Sequence, residues 1–151
     1  MKLTRLLTIL TLFLSQMAFA DNGLIKVYSQ FDAATTAERL EAALTAKGMT
    51  IFTRVPHSES AKKVGFPLNS SELFIFGNPK VGSPLMVCNI ETGIDLPHKA
   101  LIYQDNKGLV WLAYNDPDYI AKRHNVSGCE KPIAKMKQAL AAFAKHATKA
   151  Q

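Results

Sequence analysis

The chain has 151 residues, of which 48% are hydrophobic and 20% are charged, and its formal net charge is +6. This length is enough for one domain with a single core. The basic residues concentrate near the C-terminus without interleaved aromatic residues, which is typical of a solvated helix face, so we expect no nucleic-acid partner.

The first twenty residues have the pattern of a secretory signal peptide. Lys2 and Arg5 precede a nearly continuous apolar run over 6–14, and residues 18–20 supply the small-x-small cleavage pattern. The run is shorter than the roughly 20 apolar residues of a membrane span. We therefore expect cleavage after residue 20, a secreted protein in a bacterial periplasm, one domain over 21–151, and no membrane partner after cleavage.

The mature part of the chain contains two cysteines, Cys88 and Cys129. In an oxidising compartment such an even pair favours a disulfide over a metal site or a nucleophile. In the loop-entropy model this bridge would stabilise the fold by roughly 4 kcal/mol. The alternative is two buried thiols that do not meet.

The first part of the chain predicts a strand, a helix and a second strand. Alternating apolar residues indicate a strand over 24–31. In the helix that follows, Thr35 and Glu38 have the spacing of a capping box, and Gly48 is a stop signal. A second strand is predicted over 49–55.

Four further strands are predicted over 73–76, 84–90, 99–103 and 109–114. A short hairpin turn over 105–108 joins the last two strands. Strands connected by short turns, together with terminal helices, predict an α+β domain in which an antiparallel sheet has helices packed on one face.

Two helices are predicted after the last strand. Asp116 can cap a short helix that has Pro117 at its first position. A final helix is predicted over 130–148, with Pro132 near its start. Its apolar stripe consists of Ile133, Met136, Leu140, Phe143 and Ala147.

The stretch from Gly77 to Gly82 has the glycine spacing of a phosphate-binding loop. Ser83, however, stands where that motif requires lysine, and a helix should follow, whereas the next residues read as a strand. A strand-to-strand turn fits better, with the two glycines free to take backbone angles that other residues avoid. In the other interpretation, backbone N–H groups and Lys80 hold an anion there.

Three stretches of this chain resemble the DUF302 family, a family of domains of unknown function. They are LFIFGNPKVGSPLM at 73–86, GIDLPHKALIYQDNKGLVWLAYNDPDYIAKRH at 93–124, and GMTIFTRVPHSESAKKVG at 48–65. The resemblance covers about 23–124. It implies a β-α-β(4)-α domain similar to the TATA-binding-protein-like architecture, with one strand fewer than the pattern above, and it implies a homodimer.

The resemblance also bears on two histidines. The family often has an acidic residue before the position of His57, where this chain has Pro56, which weakens a carboxylate–imidazole pair there. A lysine or leucine-type residue is common where this chain has His98, so His98 is a local variation.

We predict a ligand site at the mouth of an apolar pocket between the sheet and the helices. Alternation places Trp111 and Tyr114 on opposite faces of the last strand, so one of them faces the helices and the other lines a pocket or a dimer contact. The candidate ligand-binding residues are His57, Asn78, Lys80, Asp95, Lys99 and Tyr114.

Catalytic and metal patterns are weak. No Gly-x-Ser-x-Gly elbow is present, and no histidine lies near Cys88 in the sequence. A soft metal could be held by His57, His98, His124 and Met86, but none of these has the spacing of a ligand pair, so His57 and His124 are only weak candidates. We predict no catalytic residue, no metal and no cofactor.

Three functions remain open from the sequence. The first is a non-enzymatic module that binds a small ligand or a partner. The second is a small hydrolase-like enzyme with His57 as general base. The third is a structural homodimer module.

Overall fold

Five antiparallel strands form one sheet in the order β1-β5-β4-β3-β2. The structure is a computed structural model that describes residues 22–150, so the predicted signal peptide over 1–20 lies outside the described residues. The strands are Leu24–Tyr28 (β1), Thr50–Val55 (β2), Ser71–Gly77 (β3), His98–Gln104 (β4) and Val110–Asn115 (β5).

Helices occupy the connections and the C-terminal end. They are Ala33–Ala46 (α1), His57–Lys63 (α2), Pro79–Cys88 (α3), Pro117–Arg123 (α4) and Glu130–Thr148 (α5), and a 3-10 helix spans Ile90–Ile94. If the short helices α2, α3 and α4 are set aside as parts of connections, the order is β-α-β(4)-α. The α+β prediction and the implied strand number are therefore confirmed.

The main core lies between one face of the sheet and the two long helices, α1 and α5. Alternate residues of β3 and β4 point into it, because successive side chains of a strand face opposite sides of the sheet. The buried residues include Leu40, Leu44, Phe74, Phe76, Ile102, Leu112, Leu140 and Phe143. The predicted stripe of the last helix contributes Leu140, Phe143 and Ala147 to this core and Met136 to a second, smaller one.

The strand predicted over 84–90 is wrong, because these residues belong largely to helix α3. Glycine at 82 and proline at 84 both disfavour a helix interior, which is why the pattern indicated a strand. The helix is nevertheless capped by Asn78, whose side chain accepts a hydrogen bond from Lys80 N at 2.9 Å. Burial of Leu85 then anchors the helix, so tertiary packing prevails over propensity.

The stretch from Gly77 to Gly82 is a strand-to-helix junction, so the predicted strand-to-strand turn is also wrong. Among the described residues, neither glycine has a positive φ, so the junction does not depend on the left-handed conformation. The helix required after a phosphate-binding loop is present, which leaves Ser83 in place of lysine as the argument against that motif.

Helix starts were predicted less well at the first two helices than later in the chain. Asp32, and not the Thr35–Glu38 box, caps α1, and its carboxylate accepts from Thr35 N at 2.7 Å. His57 is the first residue of α2, a helix that the sequence patterns above did not predict. The cap of α4 by Asp116 is confirmed, since its side chain accepts from Asp118 N at 3.0 Å.

The hairpin between β4 and β5 is confirmed. Asp105 Oδ1 accepts from Lys107 N at 2.8 Å and from Leu109 N at 2.9 Å. Gly108 has a φ of 81°, in the left-handed region that glycine favours. The turn therefore uses the residue types that its sequence indicated.

The predicted disulfide between Cys88 and Cys129 is confirmed, and the alternative of two separate thiols is wrong. Cys88 is the last residue of α3, and Cys129 immediately precedes α5. Their Cα atoms are 6.5 Å apart. The bridge therefore ties the end of α3 to the start of the long C-terminal helix.

Candidate functional site

An apolar cavity of about 350 Å³, here called the α3 cavity, lies between helix α3 and the adjoining end of the sheet. None of its lining residues is an aspartate, glutamate, lysine or arginine. They are Phe52, Gly77, Asn78, Pro79, Val81, Gly82, Ser83, Met86, Leu96, Pro97 and His98. The size and the apolar lining are those of small-molecule pockets.

Helix α3 is held over the cavity by a small second core. Leu85 and Met136 are almost completely inaccessible to solvent and pack in one cluster with Ile120 of α4. Val81 and Leu96, which also line the cavity, are packed against this cluster. The disulfide adds a covalent tie at the end of the same helix. These contacts and the disulfide therefore hold α3, and with it one side of the cavity, in position.

The cavity is narrow beside Gly77. An ideal Cβ built on Gly77 would lie 3.4 Å from Phe52 Cε2 and 3.4 Å from Pro97 Cβ. One methyl group would therefore touch both walls. The peptide bond between Leu96 and Pro97, which form one of these walls, is cis.

His98, at the start of β4, is a polar residue among the lining residues of this cavity. Its side chain lies on the core-facing side of the strand, 6.2 Å from the ring centroid of Phe76, and is 6% exposed. Among the described residues, Nε2 of His98 is the one buried side-chain nitrogen or oxygen atom that has no hydrogen-bond partner. Such an atom costs free energy of folding unless a bound molecule satisfies it.

The imidazole of His98 is neutral at pH 7. Burial, with a smaller contribution from the positive charge of Lys99, lowers its pKa from 6.5 to about 4. Burial has this effect because the charged form loses hydration. A neutral imidazole has one nitrogen that donates and one that accepts, so it can serve as a hydrogen-bonding group without carrying charge.

The lining has two other polar side chains, Asn78 and Ser83, and they differ in whether they are free to bind a ligand. Asn78 caps α3 through its oxygen, and its Nδ2 donates to the carbonyl of Gly48 at 2.9 Å. Both polar atoms of the Asn78 side-chain amide are therefore already hydrogen-bonded within the protein. Ser83 lies on an exposed part of α3, at the rim of the cavity.

Of the six predicted ligand-binding residues, only Asn78 lines the cavity. Lys80 is exposed on the first turn of α3. Lys99 and Asp95 do meet, but Lys99 Nζ donates to the backbone carbonyl of Asp95 at 3.2 Å. The Asp95 carboxylate lies 2.6 Å from His124 Nε2, a contact that pins the segment before β4 to the end of α4.

The remaining two predicted residues, His57 and Tyr114, lie away from the cavity lining. His57 is exposed at the start of α2, and among residues 22–150 its side chain has no hydrogen-bond or ion-pair partner, so no group orients it as a general base. Tyr114 belongs to the main core, where burial, followed by the charge of Asp116, raises its pKa. The strand alternation that separates it from Trp111 is confirmed: Trp111 Nε1 donates to Asp105 Oδ2 at 2.9 Å, and its ring packs edge-on against Tyr28.

The described residues contain no cluster of three or more histidine, cysteine, aspartate or glutamate side chains that could hold a metal ion. Of the four residues weighed for a soft metal, His98 and Met86 share the α3 cavity, while His124 is paired with Asp95. The two weak metal candidates, His57 and His124, therefore do not belong to one ligand cluster.

The sequence patterns missed most of the cavity because they missed helix α3. Without that helix, Val81, Gly82 and Met86 could not be placed on one side of a pocket. His98 carried a signal of its own only through the family resemblance, in which it stood out as a departure from the pattern. That signal was interpreted as local variation.

Comparisons with known proteins place this geometry in a family. The family model described as domain of unknown function DUF302 matches residues 25–143. A crystal structure of an uncharacterised conserved DUF302 protein from Bacillus stearothermophilus superposes with a TM-score of 0.76 at 21% identity, covering 83% of this chain and 98% of that one. At this identity the similarity supports the fold alone.

Relatives with higher identity come from Brucella. Proteins named fluoride-specific ion channel FluC 1 from Brucella suis biovar 1 and from Brucella abortus biovar 1 are each 45% identical over 106 residues, which is 70% of this chain. The match covers 42% and 39% of those proteins, so the chain spans about two fifths of their length. Within residues 22–150, no helix is long and apolar enough to cross a membrane.

Proposed function

The chain belongs to the DUF302 family, and on that premise we propose that it is a binding module that takes a small molecule into the α3 cavity. The observation that carries the proposal is a preformed apolar cavity of about 350 Å³ whose lining includes the polar residues Asn78, Ser83 and His98. Pockets that bind small molecules are mostly apolar and have a few placed polar groups, which is the composition found here.

The surroundings of the cavity favour binding over catalysis. The lining residues include no carboxylate that could act with His98, and the neutral imidazole has no partner to orient it. A general base needs a proton to abstract and, in most sites, a second group that positions it. Binding requires only complementary shape and one satisfied hydrogen bond.

The Brucella relatives offer a context for such a module. In them a segment similar to this chain makes up about two fifths of a protein named as a fluoride-specific ion channel. A binding module can be attached to another protein without taking part in transport. The α3 cavity is lined by no cationic side chain, so fluoride itself is not its expected ligand.

Secretion is part of the proposal. The pattern over 1–20 supports it, and the Cys88–Cys129 disulfide fits an oxidising compartment such as the periplasm. Intact-mass measurement of the protein recovered from its host would test this point. A mature chain beginning at residue 21 is expected, and an uncleaved chain would contradict it.

Isothermal titration of the purified protein with 2-naphthol tests the binding function. Its fused rings suit an apolar cavity of this volume, and its one hydroxyl matches a lining that has few polar groups. We expect saturable binding of one molecule per chain at micromolar to millimolar concentrations. The absence of any saturable binding of 2-naphthol and of its parent hydrocarbon, naphthalene, would contradict the proposal.

A second candidate function is the structural homodimer, which the outer face of the sheet favours. The half-buried apolar side chains of Leu73, Ile75 and Leu101 point away from the core between the sheet and helices α1 and α5. A second copy of the chain could cover this face through a two-fold interface. Light scattering over a hundredfold range of concentration tests this candidate, and a constant monomer mass would contradict it.

A further inference from the structure

The segment that follows helix α2 forms a second surface, none of whose residues lines the α3 cavity. Residues 62–70 are all exposed. Within this stretch, Val64, Phe66 and Leu68 are 70%, 68% and 55% exposed. Single exposed apolar residues are common on soluble proteins, but three large ones within five residues form a patch of the kind that marks an interaction surface. Residues 62–68 are here called the α2 loop.

The backbone holds Phe66 in this exposed position. Helix α2 ends in a Schellman motif, in which Phe66 N donates to Ala61 O at 3.0 Å. Gly65, with a φ of 87°, supplies the left-handed residue of the motif. Ala61, the position that often packs against such a side chain, is too small to cover the phenyl ring, and Pro67 restricts Phe66 to extended conformations. The ring is therefore presented to solvent by a fixed backbone, so covering it costs little backbone entropy.

The charges beside this patch are positive. Lys62 and Lys63 are exposed in the last turn of α2, and within residues 22–150 neither ammonium has a hydrogen-bond or ion-pair partner. No acidic residue occurs between residues 60 and 71. Of the nearest acids in the sequence, Glu59 lies in the first turn of α2, and Glu72 is bound to Arg54 at 2.8 Å. The α2 loop therefore combines exposed apolar side chains with two unpaired positive charges.

An anionic lipid surface matches both properties. Apolar side chains enter the boundary between head groups and acyl chains, while neighbouring lysines attract anionic head groups. A protein partner fits less well, because lysine is depleted from protein–protein interfaces and a stable interface takes about 20–30 residues from each side. We infer that the α2 loop docks the protein on an anionic membrane surface, with Phe66 at the lipid boundary and Lys62 and Lys63 on the head groups.

This contact differs from a membrane span. The expectation of no membrane partner rested on the length of an apolar run, which bears on spanning segments, and within residues 22–150 no helix is long and apolar enough to cross a membrane. Peripheral docking needs only a few apolar side chains and a basic patch. The inference goes beyond the proposed function and does not depend on the α3 cavity.

Sedimentation of the full mature chain with sucrose-loaded vesicles tests the inference. With phosphatidylcholine and phosphatidylglycerol mixed at about seven to three, we expect half of the protein to be bound at a lipid concentration on the order of 1 mM. Vesicles of phosphatidylcholine alone should bind at least about tenfold more weakly, because they offer no anionic head group to the two lysines. Added salt should weaken binding to the mixed vesicles by screening the same attraction.

One pair of variants tests the apolar contact. Phe66→Ser should weaken binding to the mixed vesicles at least about tenfold, since the ring no longer leaves water. Val87→Ser is the control, because Val87 is 85% exposed but lies on α3, and its replacement should leave vesicle binding unchanged.

A second pair tests the charges. The double variant Lys62→Gln/Lys63→Gln should lose about tenfold in affinity for the mixed vesicles. Lys131→Gln/Lys135→Gln removes the same net charge from two exposed positions of α5 and should have a much smaller effect. Should Phe66→Ser fail to fold, this pair still decides.

Several results would overturn the inference. They are equal binding to both kinds of vesicle, equal losses in Phe66→Ser and Val87→Ser, and equal losses in the two lysine variants. A dimer in light scattering that Phe66→Ser converts to a monomer, without vesicle binding by the natural protein, would assign the surface to a second copy of the chain instead. None of these results alters the expected binding of 2-naphthol, so failure of this inference is distinguishable from failure of the proposed function.

Discussion

Gly82 of helix α3 lies beside Leu96 in the lining of the α3 cavity: an ideal Cβ on Gly82 would lie 3.7 Å from Leu96 Cδ1, in van der Waals contact. Helix α3 and Leu96 therefore approach each other at a position where the helix has no side chain. The same glycine weakens the helix, since glycine is a poor helix former. The cavity is thus open at some cost in helix stability.

Filling this position should close the cavity. In Gly82→Leu, the added side chain would occupy space beside Leu96, and the Kd for 2-naphthol is expected to rise at least tenfold. Titration calorimetry measures this change. The gain in helix propensity, about 0.5–1 kcal/mol, helps to offset any strain.

Val87→Leu is the matched control for this change. Val87 lies on the same helix but is 85% exposed and does not line the cavity. Its replacement should leave 2-naphthol binding unchanged. Equal affinity in Gly82→Leu and Val87→Leu would show that 2-naphthol binds elsewhere on the protein.

The buried imidazole of His98 is expected to lower the stability of the empty protein. Replacing it by leucine removes a buried nitrogen that has no hydrogen-bond partner, at nearly the same volume. We predict that His98→Leu raises the free energy of unfolding by about 1–2 kcal/mol at pH 7.5 in the absence of ligand. Urea unfolding followed by circular dichroism measures the difference, and a loss of stability would argue that Nε2 is satisfied in solution.

The lowered pKa of His98 predicts that the stability of the protein depends on pH. The pKa of His98 is about 4 in the folded protein and about 6.5 in the unfolded chain, so the unfolded chain binds more protons between these values. The contribution of His98 is therefore fully present above pH 6.5 and is lost as the pH falls toward 4, by up to roughly 3 kcal/mol.

Comparison with His98→Leu isolates this contribution from those of the other histidines. Unfolding free energies of the two proteins, measured from pH 7.5 to pH 4, should diverge progressively as the pH falls. The natural protein should lose more stability than the variant. Parallel curves would mean that the imidazole of His98 is hydrated or protonated in the folded protein.

The disulfide between Cys88 and Cys129 is expected to stabilise both the fold and the cavity. Replacing both cysteines by serine should lower the free energy of unfolding by about 2–4 kcal/mol. The Kd for 2-naphthol should also rise severalfold, because α3 loses its tie to α5. Reductant should reproduce these effects in the natural protein and have no effect on the double variant, and stability unchanged by reductant would contradict the prediction.

The sequence predicted the parts of the fold that have strong local signals. Asp105 and Gly108 indicated the β4–β5 hairpin, Asp116 and Pro117 indicated the start of α4, and the apolar stripe of α5 was visible at helical spacing. In each case, the same residues that gave the signal make the stabilising contacts.

Helix α3 could not be predicted in this way, because what stabilises it lies far away in the sequence. Gly82 and Pro84 argue locally against a helix, whereas the contacts of Leu85 with Ile120 and Met136 and the bond from Cys88 to Cys129 hold it in place. The candidate site was missed with it. Predicted polar residues such as Lys80 and Asp95 are exposed or engaged in the fold, while His98 became notable only when its burial and its missing hydrogen-bond partner were seen.

The most direct test of the account is a map of where 2-naphthol binds. Two-dimensional ¹H–¹⁵N spectra of the full mature chain, recorded during a titration with 2-naphthol, would report this residue by residue. The account predicts shifts confined to α3, to the segment from Leu96 to His98, and to the neighbouring residues Phe52 and Gly77. Shifts concentrated on the outer face of the sheet, around Leu101 and Tyr103, or no saturable shifts at all, would contradict it.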